Sequence, residues 1–364
     1  MGRMEDRIYL NLKREEKNIP IVFVEEIEKI GEHIAYFNYS NLVIFTDKMV
    51  YRLYKGFIDS LKPTYLYLFD EGEESKSIES YLKAIDYLLD SNVDRRALFV
   101  AIGGGVVGDV VGFIASTYKR GVRLIHIPTT LLSMVDSSIG GKTGINYKSY
   151  KNQIGTFYQP EIIIICPQFL ETLSKSEVLS GIGEIMKYGF TLDKSILDMK
   201  GRFENDVFEI FQDKILAMQL IKKSINCKVK VVEKDEKESL LREVLNFGHT
   251  VGHALETYYN YYFSHGIFVI LGMIAEMILS NMIFNFDLSN VDLLIRILEK
   301  NSIKLPQRFE KSQIISIMKY DKKNINASIR MVLLKDVCDY VLGYEVNEDF
   351  LYEALDRFEK IVLS

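Results

Sequence analysis

Short apolar runs separated by amphipathic stretches fill the first half of the chain. Residues 42–46, 65–69, 97–102, 123–127 and 162–166 are rich in Ile, Val, Phe and Tyr. Uninterrupted apolar runs of this length suit strands covered on both faces, as in a parallel sheet. Between the second and third runs, Ile78, Leu82, Ile85, Leu88 and Leu89 recur at helical spacing within residues 74–91. The alternation predicts a doubly wound α/β domain.

After about Leu173 the strand pattern nearly vanishes. Ser174 followed by Glu177 forms a capping-box pattern that opens a helix. Residues 203–232, 240–259, 267–281 and 291–301 carry helical periodicity, and 329–334 reads as an isolated strand or hairpin. The expected architecture is a Rossmann-like parallel-sheet domain over residues 1–172, then a mostly α-helical domain over 173–364. The active site is expected in the cleft between them. The most apolar stretch, residues 267–279, carries Glu276. It is too short for a bilayer core of ~30 Å and reads as a buried helix.

Composition adds exclusions. A chain of 364 residues suits two domains at roughly 150 residues each. A formal charge of −5 leaves no electrostatic footprint for nucleic acid, and no membrane partner is expected. Cys166, Cys227 and Cys338 are too far apart for a CxxC pattern, which favours a reducing compartment. The opening residues lack the apolar core of a signal peptide, so a cytoplasmic location is expected.

Three segments carry candidate chemistry. In the first, Gly103, Gly105 and Gly108 satisfy GxGxxG between an apolar strand and an apolar helical run. Glycines let a backbone approach a pyrophosphate, and the following helix offers N–H groups and the positive end of its dipole. No acidic residue follows about 20 positions on to hold a ribose. Asp47, just past the first strand, is the upstream candidate, and Glu73 and Lys76 lie at a turn from which they reach a dinucleotide. In the second segment, Thr129, Thr130, Asp136, Ser137, Lys142, Lys151 and Asn152 crowd one connection between strands. Such connections at the carboxyl ends of parallel strands are where α/β folds hold ligands.

The third segment holds three of the five histidines: His249, His253 and His265. On one helix, Arg242, Asn246, His249 and His253 share a face. Glu184 and Lys187 share a face on an earlier helix. A carboxylate plus two imidazoles makes a catalytic metal set with open positions, and by spacing alone His253 pairs with His249 as a ligand. His126 reads as a core residue and His33 as a surface one. Lys228, among Val229, Val231 and Val232, is a candidate to turn inward.

With a glycine loop, a histidine cluster and many cations together, the chain resembles the 3-dehydroquinate synthases of the sugar-phosphate cyclase superfamily. The matching segments are 103–109, 128–146, 151–160, 181–189, 245–256 and 321–323. The resemblance implies zinc or cobalt held by Glu184, His249 and His265, which moves His253 to general acid/base work, with Glu238 as a second proton-transfer group. It implies NAD bound by Asp47, Glu73, Lys76, Gly103, Gly104, Gly105, Val106, Asp109, Thr129, Thr130, Lys151 and Thr172. Asp136, Lys142, Asn152, Lys187, Lys228, Arg242, Asn246 and Lys322 or Lys323 match the substrate-binding set, with Lys142 and Arg242 also catalytic. Arg120 is expected to reach the substrate phosphate from a neighbouring subunit of a homodimer.

The implied reaction is that of a lyase in the shikimate pathway of aromatic amino acid biosynthesis. It converts 3-deoxy-D-arabino-heptulosonate 7-phosphate to 3-dehydroquinate and phosphate. Transient oxidation by NAD, phosphate elimination, re-reduction, ring opening and an aldol closure make up the sequence. The chain departs from the family at Ile267-Phe268, where Glu-Ala usually follows His-Gly. A missing carboxylate at 267 is expected to weaken His265 as a ligand. The rival readings are another cyclase, such as 2-deoxy-scyllo-inosose synthase, and a metal-dependent polyol dehydrogenase. The presence of Arg242 and Asn246, suited to a substrate carboxylate, favours the dehydroquinate reading over the first.

Overall fold

The structure is a computed structural model that describes residues 6–13, 16–148, 150–199, 203, 207–238, 240–319 and 328–363. Two compact units divide it. One comprises residues 1–173 together with Lys228–Glu233, and the other comprises residues 174–227 and 234–364.

The first unit is built on a seven-stranded sheet. Its strands are β1 (Arg7–Leu12), β2 (Lys17–Phe23), β3 (Leu42–Asp47), β4 (Tyr65–Phe69), β5 (Leu98–Gly103), β6 (Arg123–Pro128) and β9 (Ile162–Ile165). They lie in the order β1-β2-β9-β6-β5-β3-β4, and every pairing except β1 with β2 is parallel. All five strands expected from apolar runs are present. β5 and β9 are buried along their whole length. Sequence pattern missed β1 and β2, whose mixed polarity and Pro20 hide them.

From β3 the chain steps to β4 on one side and then to β5 on the other. Strand order therefore reverses between β3 and β5, and ligands bind at such switch points, beyond the carboxyl ends of the strands. Three helices connect this region: α2 (Lys48–Ser60), α3 (Ile78–Asp90) and α4 (Gly105–Thr117). Asp47 closes β3 and Gly103 closes β5, so two of the expected cofactor residues sit at the reversal.

The polar connection is more ordered than its composition suggests. It contains a five-residue π-turn, Ser133–Ser137, and an antiparallel hairpin of β7 (Lys142–Tyr147) and β8 (Tyr150–Phe157). β8 is exposed almost throughout, which removes the hydrophobic alternation that would have revealed it. His33, expected at the surface, is instead buried in a short helix, α1 (Ile30–Ile34).

The second unit is mostly helical. Its helices are α5 (Lys175–Thr191), α6 (Val207–Gln212), most of α7 (Lys214–Lys234), α8 (His249–Tyr258), α9 (His265–Phe284), α10 (Val291–Lys300), α11 (Lys311–Lys319) and α12 (Glu348–Val362). Ser174 caps α5 as its sequence predicts, its side chain accepting from the Glu177 N–H at 3.3 Å. The late apolar run is β10 (Arg330–Asp336), paired with β11 (Asp339–Glu345).

Two helical expectations fail in an instructive way. Within the helix expected over 203–232, the described residues from 207 on are divided between two helices, broken between α6 and α7. Residues 240–259 are likewise divided. A 3-10 turn, Leu241–Asn246, gives way to Gly248 in the left-handed region at φ 78°, and only then does α8 begin. Arg242 and Asn246 therefore do not share a helical face with His249 and His253.

The apolar run around residue 270 extends further than expected. α9 is 20 residues long, apolar enough and long enough to cross a membrane, so the length argument does not hold. Its neighbours identify it as a core helix, because α5, α8, α12 and β10 pack around it. Glu276, at its centre, accepts from the Gly248 N–H at 2.6 Å and the Val251 N–H at 3.3 Å. The carboxylate thus serves donors that the start of α8 leaves without intrahelical partners.

Glycines set the spacing of these helices. A Cβ on Gly266 would lie 2.0 Å from the Ser180 carbonyl oxygen, and one on Gly272 would lie 1.9 Å from that of Gly248. Backbone therefore touches backbone where α9 crosses α5 and α8. Gly272→Ala should destabilise the protein by about 1–3 kcal/mol, or prevent folding, because a backbone carbonyl cannot rotate aside as a side chain would. Urea denaturation of the variant measures the loss; unchanged stability would refute the close contact.

Candidate active site

In the first unit the site begins at the glycine loop. Gly104 is the N-cap of α4 and has no side chain to occupy the helix end. The N–H groups of that first turn and the helix dipole are therefore suited to an anion. Close packing accounts for the glycines here too: a Cβ on Gly104 would meet Thr130 Cγ2 at 3.0 Å, and one on Gly105 would meet Ser137 Oγ at 3.1 Å. Val106 and Asp109 follow on the same helix. Thr129 donates its N–H to the Gly103 carbonyl at 3.0 Å, and Thr130 Oγ1 lies 2.8 Å from Ser133 Oγ.

Lys76, buried, and Asp109, partly buried, form an ion pair at 2.5 Å. Burial pushes the Asp109 carboxyl upward, and the Lys76 ammonium opposes that shift. Glu73 accepts from Asn146 Nδ2 at 2.7 Å, tying the turn of residues 73–75 to β7. Asp47 caps α2 by accepting from the Val50 N–H at 2.8 Å; burial raises its carboxyl above the usual range. Thr172 Oγ1 lies 2.7 Å from the Tyr54 hydroxyl. Lys151 and Asn152 lie on exposed β8, while Lys142 opens β7. Arg120 follows Lys119 with both residues at positive φ, 63° and 47°.

Lys228 does turn inward. It is 5% exposed, and its ammonium lies 2.8 Å from Asp136 Oδ1 and 2.5 Å from the Asp136 carbonyl oxygen. The structure thus brings together two residues expected to bind substrate from positions 92 apart in the chain.

In the second unit, α5, α8 and α9 converge on Glu184. Its Oε1 lies 3.3 Å from His249 Nε2 and 3.5 Å from His265 Nε2. The carboxylate is fully buried and also pairs with Lys187 one turn along α5. Burial alone would raise the Glu184 pKa, but Lys187 and His249 outweigh it and hold the group well below the usual range. Burial dominates at His249 and lowers it. At His265 burial also acts to lower the pKa, yet the Glu184 and Glu256 carboxylates raise it to about 9.

The donor set fits a small divalent cation. Ligands bound tetrahedrally at about 2.1 Å stand about 3.4 Å apart, close to the separations from Glu184 to the two imidazoles. His249 Nδ1 lies 3.1 Å from the Phe247 carbonyl oxygen, which leaves Nε2 as the inward-facing ring nitrogen. His253 belongs to the same cluster: one ligand atom each from His249, His253 and His265 lies within 4.8 Å of the others. The three imidazoles thus form one donor group, and Glu184 lies against two of them.

Arg242 is 2% exposed; its N–H meets Asp235 Oδ2 at 3.0 Å and its Nη1 donates to the Glu236 carbonyl at 2.8 Å. Asn246 ends the same 3-10 turn, and Glu238 precedes it at φ 59°. Lys322 and Lys323 lie outside the described residues. Sequence reading passed over Glu256 and the capping role of Glu276. Glu256 was visible as the third member of the 249, 253, 256 spacing, which places all three on one helical face.

The chain thus combines one unit with a parallel sheet and a glycine loop at its switch point and another, helical, with a carboxylate–imidazole cluster. The fold is shared with ValA, the 2-epi-5-epi-valiolone synthase from Streptomyces hygroscopicus subsp. jinggangensis 5008, solved with NAD+ and Zn2+ bound. The TM-score is 0.85 at 22% identity, over 95% of this chain and 98% of that one. A 2-deoxy-scyllo-inosose synthase complexed with carbaglucose-6-phosphate, NAD+ and Co2+ gives 0.84 at 21%, over 97% and 100%. Sequence is more discriminating. Residues 66–180 match the 3-dehydroquinate synthase N-terminal family and residues 181–324 its C-terminal counterpart. The 3-dehydroquinate synthase of Clostridium tetani (strain Massachusetts / E88) is 39% identical over 340 residues, covering 92% of this chain and 90% of that protein. The chain belongs to the 3-dehydroquinate synthase family, and its reaction is the shikimate-pathway formation of 3-dehydroquinate from a sugar-acid phosphate.

His126 lies under the glycine loop, lining a small depression with Gly103, Gly104, Ser133 and Ser137. Desolvation lowers its pKa from 6.5 to about 4. Between those values the unfolded chain takes up a proton that the folded one refuses. Stability is thus complete above pH 6.5 and falls as pH drops toward 4, by about 3 kcal/mol in all. Urea denaturation across this window should show a shallower acid loss in His126→Gln than in the unaltered protein.

Proposed function

We propose that the protein is an NAD- and divalent-metal-dependent lyase that converts 3-deoxy-D-arabino-heptulosonate 7-phosphate to 3-dehydroquinate and phosphate. One observation carries the metal part of this reading: a buried carboxylate oxygen stands 3.3 and 3.5 Å from two inward-facing imidazole nitrogens. Glu184, His249 and His265 hold the cation, zinc or cobalt. Gly103, Gly104, Gly105 and Val106 at the start of α4 receive the dinucleotide phosphates. Asp47, Glu73, Lys76, Asp109, Thr129, Thr130, Lys151 and Thr172 surround the rest of NAD.

The chemistry these two groups supply is hydride acceptance and return by NAD and Lewis acidity from the cation. The remaining work falls to the protein. His253, on the same face of α8 as His249, moves protons to and from the substrate, and Glu238 is the second proton-transfer group. Asp136, Lys142, Asn152, Lys187, Lys228, Arg242, Asn246 and one of Lys322 or Lys323 bind and orient a substrate that carries both a carboxylate and a phosphate. Charge-assisted hydrogen bonds from lysine and arginine suit both anions, and fixed positioning can lower the barrier by several kcal/mol. Arg120 reaches the substrate phosphate from the second subunit of a homodimer.

Incubation with NAD, zinc or cobalt and the heptulosonate phosphate should release inorganic phosphate and 3-dehydroquinate together. Turnover of glucose 6-phosphate or sedoheptulose 7-phosphate instead would overturn the substrate assignment. His265→Ala should lose bound metal. His253→Ala should keep it while kcat falls about 10²–10⁴-fold. Metal analysis with the reverse pattern would exchange the roles of the two histidines.

A further inference from the structure

The metal reading leaves one buried carboxylate in the cluster without a role. Glu256 lies on α8, seven residues after His249 and three after His253, and is 6% exposed. Its Oε2 stands 3.5 Å from His265 Nδ1, on the side of the ring away from Glu184. The same imidazole faces Glu184 Oε1 through Nε2. His265 is therefore held between two carboxylates, one at each ring nitrogen.

His249 offers a direct comparison. Its Nδ1 faces a backbone carbonyl, that of Phe247, and its Nε2 faces Glu184. Both histidines thus have an acceptor at Nδ1 and turn Nε2 toward one point. An acceptor at Nδ1 keeps the proton there, fixes the ring orientation and makes Nε2 the stronger donor to a metal. For His249 that acceptor comes from its own chain two residues away; for His265 it comes from a different helix.

We propose that Glu256 is the positioning residue for His265, presenting a carboxylate to its Nδ1 across the α8–α9 contact. Ile267 is 1% exposed and belongs to the apolar core of the helical unit, so the residue following His-Gly is committed to packing. His265 consequently does not depend on its sequence neighbours for orientation. α8 contributes in turn a ligand, a proton-transfer group and a support for the ligand on α9. The inference rests on the assignment of Glu184, His249 and His265 as the metal set.

The test is metal affinity, measured on the full-length protein by competition for zinc with a chromophoric chelator. Glu256→Ala should bind zinc about 10–100-fold more weakly. Glu256→Gln, which keeps an oxygen acceptor of the same reach, should recover most of that loss. The visible spectrum of the cobalt-loaded protein should change in Glu256→Ala and return toward the original in Glu256→Gln. Glu256→Met, similar in volume but without an oxygen acceptor, should lose affinity as Glu256→Ala does, so the comparison stands if the Ala variant fails to fold. Zinc affinity and cobalt spectrum unaltered in Glu256→Met and in folded Glu256→Ala would overturn the role of Glu256 while leaving the metal set intact. An unaltered protein that takes up neither zinc nor cobalt would overturn the metal set itself.

Discussion

A carboxylate buried at the meeting of three helices governs the helical unit. Glu184 is 1% exposed, and burying a charge so fully costs several kcal/mol unless countercharge and hydrogen-bond partners are close. Lys187 on the same helix and the imidazoles of His249 and His265 on two others meet that need. The same arrangement that makes the buried charge tolerable brings one carboxylate and two imidazoles to metal-ligand spacing. Folding and site assembly are therefore one requirement.

That requirement can be met only if the helices approach closely. Side chains at the crossings of α9 with α5 and α8 would push the backbones apart, and with them the carboxylate and imidazoles. Gly183 and Gly266 face each other at one crossing, while Gly248 and Gly272 do so at the other. Glu276 then ties α9 to the first turn of α8, directly beneath His249. The spacing of the carboxylate and the two imidazoles is in this sense a product of the glycines, three of which flank those residues directly in sequence.

The sheet unit works by a different principle. Its glycine loop lies where strand order reverses, and it presents backbone donors rather than charged side chains. The charged groups around it, Lys76 with Asp109 and Lys228 with Asp136, are paired with one another.

Local signals sufficed for much of the fold. The five apolar strands, the Ser174 cap, the glycine loop and the Glu184–Lys187 pair were legible because each depends on residues close in sequence. Where the outcome depends on distant partners, the pattern was silent or misleading. β8 pairs with β7 but is exposed, so it has no hydrophobic alternation to read. The helical periodicity of residues 240–259 continues through Gly248, where close approach to α9 selects a left-handed turn and separates Arg242 from His249. Residue types and spacing by themselves determined that histidines, a carboxylate and a glycine loop were available. Tertiary structure decided which atoms meet, because a helix fixes only its own face, whereas the backbone contact between helices fixes the distance across which His265 finds both Glu184 and Glu256.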